Sequence, residues 1–262
     1  MAGPHFPVLF LGHGNPMHAI KASGFTNSWG VIPTLFKKPK AIIVFSAHWY
    51  GPVSRVTAGK QLPTIHDFYG FPEELYTVQY PTMGHPLLAQ RIQEFIPEIE
   101  LDNTRGLDHG AWALLKHLYP NADIPIIQIS IDSRLSILQH RERATLLKDL
   151  RKEEILFLCS GNIVHNLSKL NWNPKSPTVH WAQEFDLTIK QAIINQDQEY
   201  LMNPTKTESG RLAVPTLDHY LPLIYALGLR EPDDIVSFPV SGYELGAISM
   251  TGVMLSASSQ SS

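Results

Sequence analysis

Apolar residues along this chain gather into short runs that stop at glycine, proline or a polar residue. PVLFL, AIIVFS, IPIIQISI and ILFLCS are too short for most helices and rich in Val, Ile and Phe. Runs of this kind read as strands buried on both faces. Between them the apolar positions recur at helical spacing. HPLLAQRIQEFI places Leu87, Leu88, Ile92 and Phe95 on one stripe, and AWALLKHLY and SILQHRERATLLKDL behave similarly. Doubly buried strands alternating with helices predict an α/β fold with a central, mostly parallel sheet flanked by helices. Farther along, HWAQEFDLTIKQAIINQ predicts a long helix. DHYLPLIYALG predicts another, which admits Pro222 only near its first turn. The tail DIVSFPVSGYELGAISMTGVML offers two strand-like runs around Ser241 and Gly242, expected to close the sheet as a hairpin. The segment from Gln61 to Pro86 keeps no steady period and is rich in Gly, Pro and aromatic residues. A loop that long is usually functional or disordered, and its aromatic content favours an ordered lid. No low-complexity linker interrupts the pattern, so residues 1–262 read as one catalytic domain.

Composition narrows the function classes. Hydrophobic residues make up 44% of the 262 positions and charged ones 17%, enough apolar content for a substantial core. A net charge of −3 with no basic block argues against nucleic acid as a partner. The single cysteine, Cys159, lies within an apolar run and cannot form an internal disulfide, which points to a reducing, cytoplasmic setting. No signal peptide is evident and no apolar run is long enough to span a bilayer, so we expect a soluble protein without a membrane partner. Twelve histidines are the informative feature.

Ligands of open parallel α/β sheets bind beyond the carboxyl ends of the strands. His13, in FLGHGN, and His48, in FSAHWY, both fall there if the strands end where the apolar runs do. The glycines flanking His13 allow a sharp turn and leave room for an open coordination position. His165 follows ILFLCS by a few residues and can reach the same edge. His109, in LDHGAW, precedes a helix, and His219 lies near the start of a late one. Neutral imidazole is the commonest protein metal ligand, so histidines converging at one edge suggest a metal centre. His5, His18, His85, His117, His140 and His180 read as ordinary hydrogen-bonded residues. There is no HExxH, no cysteine-rich zinc pattern and no Walker loop, and the SGN at Ser160 is not a nucleophile elbow. Spacing alone leaves the reaction type open.

The motifs FLGHGNPM, SAHWY, PTIHDFYGFPEELY, GLDHGAW, PIIQISID, SGNIVHNL, PTLDHYLPL and ELGAISM, taken together, resemble the DOPA-type class III extradiol ring-cleavage dioxygenases. They run in that family's order over nearly the whole chain. The resemblance implies a single αβ domain holding one non-haem metal ion, with ferrous iron, Fe(II), as the working metal and zinc, Zn(II), also accommodated. It implies oxygen-dependent opening of a catechol ring next to its two hydroxyls, with a small aromatic diol and O2 as partners. Carried over by motif, His13, His48 and His219 are metal ligands. His165 lies beside the metal as a further ligand or as the acid/base, and His109 faces substrate and oxygen. Asp218 adjoins His219, but neighbours on a helix do not face the same way, so only one of them binds, and His219 is favoured. In the aromatic loop Phe68, Tyr69, Phe71 and Tyr76 could cover the ring, and Trp49, Phe68 and Tyr69 are the candidate substrate-binding residues. Two alternatives stay open: a zinc-dependent hydrolase on a related sheet, and a non-catalytic binding protein on the same fold.

Overall fold

The computed structural model describes residues 5–173 and 176–257. Among them, eight strands form one mixed sheet: β1 (Val8–Gly12), β2 (Ala41–Gly51), β3 (Arg55–Thr57), β4 (Glu100–Asp102), β5 (Ile126–Asp132), β6 (Ile155–Gly161), β7 (Asp234–Val240) and β8 (Gly252–Ala257). The spatial order is β4-β3-β5-β2-β6-β1-β8-β7. The central strands β5, β2, β6 and β1 run parallel to one another. They are the four runs expected from the sequence. Antiparallel pairings flank this block: β3 against β5 on one side, and β8 against β1 and β7 on the other.

The pleat explains why the central runs are almost wholly apolar. Alternate residues of one strand point to opposite faces, and here both faces are covered. Val8 and Phe10 of β1, Ile43 and Phe45 of β2, and Phe157 and Cys159 of β6 face one core. Leu9 and Leu11, Ile42 and Val44, and Leu156 and Leu158 face the other. Helices Pro86–Phe95, His180–Asn195 and Leu221–Gly228 contribute to the first core, and Gly24–Val31 and His109–Leu118 to the second. Fully burying one such side chain contributes about 1.5–3 kcal/mol.

Three expectations are corrected in detail. The buried stripe of helix Pro86–Phe95 is Leu88, Ala89 and Ile92, whereas Leu87 is 70% exposed. The tail does not turn directly at Ser241 and Gly242. β7 and β8 do pair antiparallel, but a small hairpin, Tyr243–Glu244 with Ile248–Ser249, is inserted between them. β2 does not end at Ser46. It continues to Gly51, with its register against β5 broken between Phe45 and Tyr50. The segment from Gln61 to Pro86 carries local order: Gln61–Leu62 pairs with Thr82–Met83, and Glu73–Tyr76 forms one helical turn. No helix among the described residues is long and apolar enough to cross a membrane.

Candidate active site

Five histidines meet at the carboxyl edge of three neighbouring strands. His13 directly follows β1, His48 lies in the irregular stretch of β2, and His165 follows β6 by four residues. The His13 amide donates to the Gly161 carbonyl at 3.2 Å, tying the end of β1 to that of β6. His219 comes from a distant segment but is pinned to the same place, because Asn162 donates its amide to the His219 carbonyl at 2.9 Å. That approach requires glycine at 161, where a Cβ would lie 2.3 Å from the His219 carbonyl oxygen. His109 is the first residue of helix His109–Leu118, capped by Asp108, which accepts from the Ala111 amide. Asp108 is itself fully buried and fixed by Ser46 of β2 and Gln128 of β5. The helix start is thus bolted to the strands that carry the other histidines.

The ring contacts are close. His13 Nε2 and His48 Nε2 lie 3.0 Å apart. Ring centroids are 5.3 Å apart for His13 and His219, and 5.2 Å for His48 and His219. His165 stacks on His219 at 3.4 Å with planes within 5°, and His109 packs 3.9 Å from His48.

What faces the second nitrogen of each ring decides the tautomer. Ser160 donates its only hydroxyl proton to the Gly110 carbonyl. Its oxygen, 2.9 Å from His13 Nδ1, must therefore accept from that nitrogen, leaving the Nε2 of His13 as a bare lone pair. His219 turns Nδ1 to the Asp218 carboxylate, and its Nε2 is buried without any hydrogen-bond partner. His48 turns Nδ1 toward Asp67 Oδ2 at 3.4 Å, leaving Nε2 to face His13. The lone pairs of His13 and His219 thus turn inward, and His48 Nε2 meets His13 Nε2 at 3.0 Å, so the three nitrogens gather where one cation could engage them all. Ligand atoms of His13, His48 and His219 lie within 4.8 Å of one another, a span that small adjustments bring to the roughly 2 Å bonds of a shared ion. Carboxylate or hydroxyl partners on the outer nitrogens are the usual second layer of a histidine metal site. The residues therefore fit a metal ion.

Electrostatics agree with neutral rings at His13 and His48. Burial, then the neighbouring imidazoles, hold His13 and His48 well below the ordinary histidine range. His165 is pushed down to about 3 by burial and by His219. Burial pushes the Asp218 carboxyl upward, but the hydrogen bond from the His219 ring outweighs it and holds Asp218 well below the usual carboxylate range. Asp67 is likewise held low against its own desolvation by His109, whose amide it accepts at 2.8 Å and whose Nδ1 lies 3.0 Å away.

A cavity of about 430 Å³ opens over the histidines. Phe68, Tyr69 and Phe71 line it from one side, and Leu167, Leu170, Trp172 and Ile248 from the other. Phe68 meets His109 edge-on at 5.5 Å, whereas Tyr69 stands at the rim, 91% exposed. Trp49 does not line the cavity. As the strand neighbour of His48 it points the other way, under the Arg105 guanidinium at 4.5 Å. Tyr76 packs behind Phe68, 5.2 Å away, rather than on the cavity wall. Histidine placement alone does not point to Asp67, Ser160 or Glu244. For Asp67 the one signal was a carboxylate beside a histidine in PTIHDF. The histidines read as ordinary have local partners: His140 bonds Tyr225, His5 bonds Asp234, and His85 accepts the Leu88 amide as a helix cap.

The sequence matches the family model described as "Catalytic LigB subunit of aromatic ring-opening dioxygenase" over residues 2–254. It is 41% identical to a "4,5-DOPA dioxygenase extradiol" of Escherichia coli K12, across 97% of this chain and 96% of that protein. A plant protein of the same name, from Beta vulgaris, is 38% identical across 84% of this chain and 85% of its own length. The crystal structure of an uncharacterized Escherichia coli K12 protein, 39% identical, superimposes with a TM-score of 0.83 over 95% of this chain and 99% of the other. The chain belongs to the extradiol aromatic ring-opening dioxygenases of the LigB family.

Proposed function

We propose that the protein opens the ring of a small catechol, DOPA-like in kind, with O2 and one non-haem metal ion held by His13, His48 and His219. The observation that carries this reading is the convergence of three inward Nε2 atoms, with the outer nitrogens of His13 and His219 held by hydrogen bonds and that of His48 facing Asp67, at the floor of an apolar cavity. Fe(II) is the working metal in this reading, although three neutral imidazoles also suit Zn(II). When bound, the ion supplies Lewis acidity that lowers the hydroxyl pKa and a template for diol and O2.

The chain supplies the remainder. His165 is neutral and aligned face to face with His219, so it is ready to accept a proton from a catechol hydroxyl. Parallel rings cannot aim in-plane lone pairs at the same point. The stack therefore favours acid/base work over a fourth ligand role for His165. His109, whose amide donates to Asp67 and whose Nδ1 lies 3.0 Å from the same carboxylate, faces the space left for substrate and oxygen. Phe68 and Phe71 exclude water from that space and offer a surface for the substrate ring. One catalytic unit then spans the chain, and a reducing, cytoplasmic setting suits the fully buried Cys159 thiol.

Anaerobic loading with ferrous iron, followed by oxygen-uptake assays over a panel of catechols, tests this reading. Uptake equimolar with catechol consumed, absent in the zinc-loaded protein, is expected. Turnover of any substrate without oxygen would point instead to a zinc hydrolase, and no turnover of any catechol to a binding protein.

A further inference from the structure

Among the described residues, the cavity wall carries one acidic side chain, Glu244, and no lysine or arginine. Asp67 and Asp218 lie behind the histidines with their oxygens turned to imidazole nitrogens. Glu244 differs. Its Oε2 accepts from the Asn15 amide at 3.0 Å and from His18 Nε2 at 3.2 Å, while Oε1 takes no hydrogen bond among the described residues. The carboxylate is held close to the loop that carries His13. A Cβ at Gly14, whose φ is +58°, would lie 2.8 Å from Oε2. His18 is packed in turn between Phe25 and Trp29, so the clamp on Oε2 is rigid.

Resting on the catechol reading above, we propose that Glu244 sets substrate choice by side-chain charge, favouring catechols whose side chain carries a protonated amine over those whose only side-chain charge is a carboxylate. A diol anchored through its hydroxyls at the histidine cluster must direct its side chain away from that cluster, along the cavity wall. An ammonium there meets a fixed carboxylate with a free oxygen, a charge-assisted hydrogen bond. A side chain whose only charge is a carboxylate meets like charge, with no lysine or arginine among the described wall residues to offset it, and such a mismatch is an effective means of discrimination.

Calorimetric titration of the zinc-loaded protein measures binding without turnover. The probes share one ring and differ in side-chain charge: dopamine, ethylcatechol and dihydrocaffeate. Dopamine is expected to bind at least about tenfold more tightly than dihydrocaffeate, with ethylcatechol between them. Glu244→Gln should bring the extremes to within about threefold, and Glu244→Asp should keep the order with a smaller spread. Thermal midpoints confirm that the variants remain folded. Equal binding of dopamine and dihydrocaffeate by the wild type, or an unchanged spread in a folded Glu244→Gln protein, overturns the proposal. The catechol reading has its own readout, since iron-loaded wild type that takes up oxygen with ethylcatechol upholds it whichever way the charge series falls. If none of the three diols binds, both fail.

Discussion

His165 and His219 lie face to face, with centroids 3.4 Å apart and planes within 5° of parallel. The Nδ1 of His219 is committed to Asp218, and its buried Nε2 has no partner. A ring stacked flat on a ligand can move a proton beside the ligand's ion but cannot share the ion in its own plane. In the function proposed above, the two histidines therefore divide the work.

His165→Ala should retain its metal and lose turnover by about a hundredfold or more, the usual scale for removal of an acid/base. Metal content by emission spectrometry, read beside steady-state kinetics, separates the roles. Loss of metal would make His165 a ligand, with His109 next in line as base. Unchanged turnover would exclude both roles.

His48→Ala and His219→Ala should each lose most bound metal while keeping a native circular dichroism spectrum. Each removes one of three converging ring nitrogens. Full occupancy in either variant removes that residue from the ligand set.

Ser160 gives a sharper test, because it touches His13 without lining the cavity. Ser160→Ala leaves Nδ1 without an acceptor and frees the ring to adopt the wrong tautomer. Metal affinity should fall by about tenfold to a hundredfold, as for other losses of a ligand's outer partner. Ser160→Thr, which keeps the hydroxyl, should restore most of it. Equal affinities across all three proteins would show that the serine does not set the tautomer.

Stability should depend on pH through histidines buried in the neutral form. Burial, then Arg143, pushes His140 down to about 4, and burial with His219 pushes His165 down to about 3. As pH falls below about 6.5 the unfolded chain takes up these protons first, so unfolding is favoured. The contribution is complete above about 6.5 and declines toward about 4 for His140 and about 3 for His165. Urea midpoints of chelator-treated protein should drop between about pH 7 and pH 5. Part of the decline should persist in metal-loaded protein, since His140 bonds Tyr225 away from the site. A flat midpoint across that interval contradicts the assignment.

The sheet was legible because β1, β2, β5 and β6 are buried on both faces, which forces nearly unbroken apolar runs. The three-residue strands β3 and β4 were not, being too short to show a period. His13 was placed from the abrupt stop of its run at Gly-His-Gly. For His48 the break in apolar character marked an irregularity inside β2 rather than its end. Trp49 reads from the sequence as an aromatic candidate for stacking on the substrate ring, yet strand alternation turns it away. Asp67, Ser160 and Glu244 stayed hidden because their roles arise from contacts across 42, 147 and 229 residues of chain. No local pattern records such pairings.

The most direct measurement compares oxygen consumption by the iron-loaded protein with DOPA and with tyrosine, which differ by one ring hydroxyl. The proposed function holds that both hydroxyls anchor the ring at the His13, His48 and His219 cluster, and that this orientation contributes several kcal/mol, roughly 7–11 at best. It predicts rapid, stoichiometric oxygen uptake with DOPA and none above background with tyrosine. Equal rates with the two substrates, or no uptake with DOPA, would contradict it.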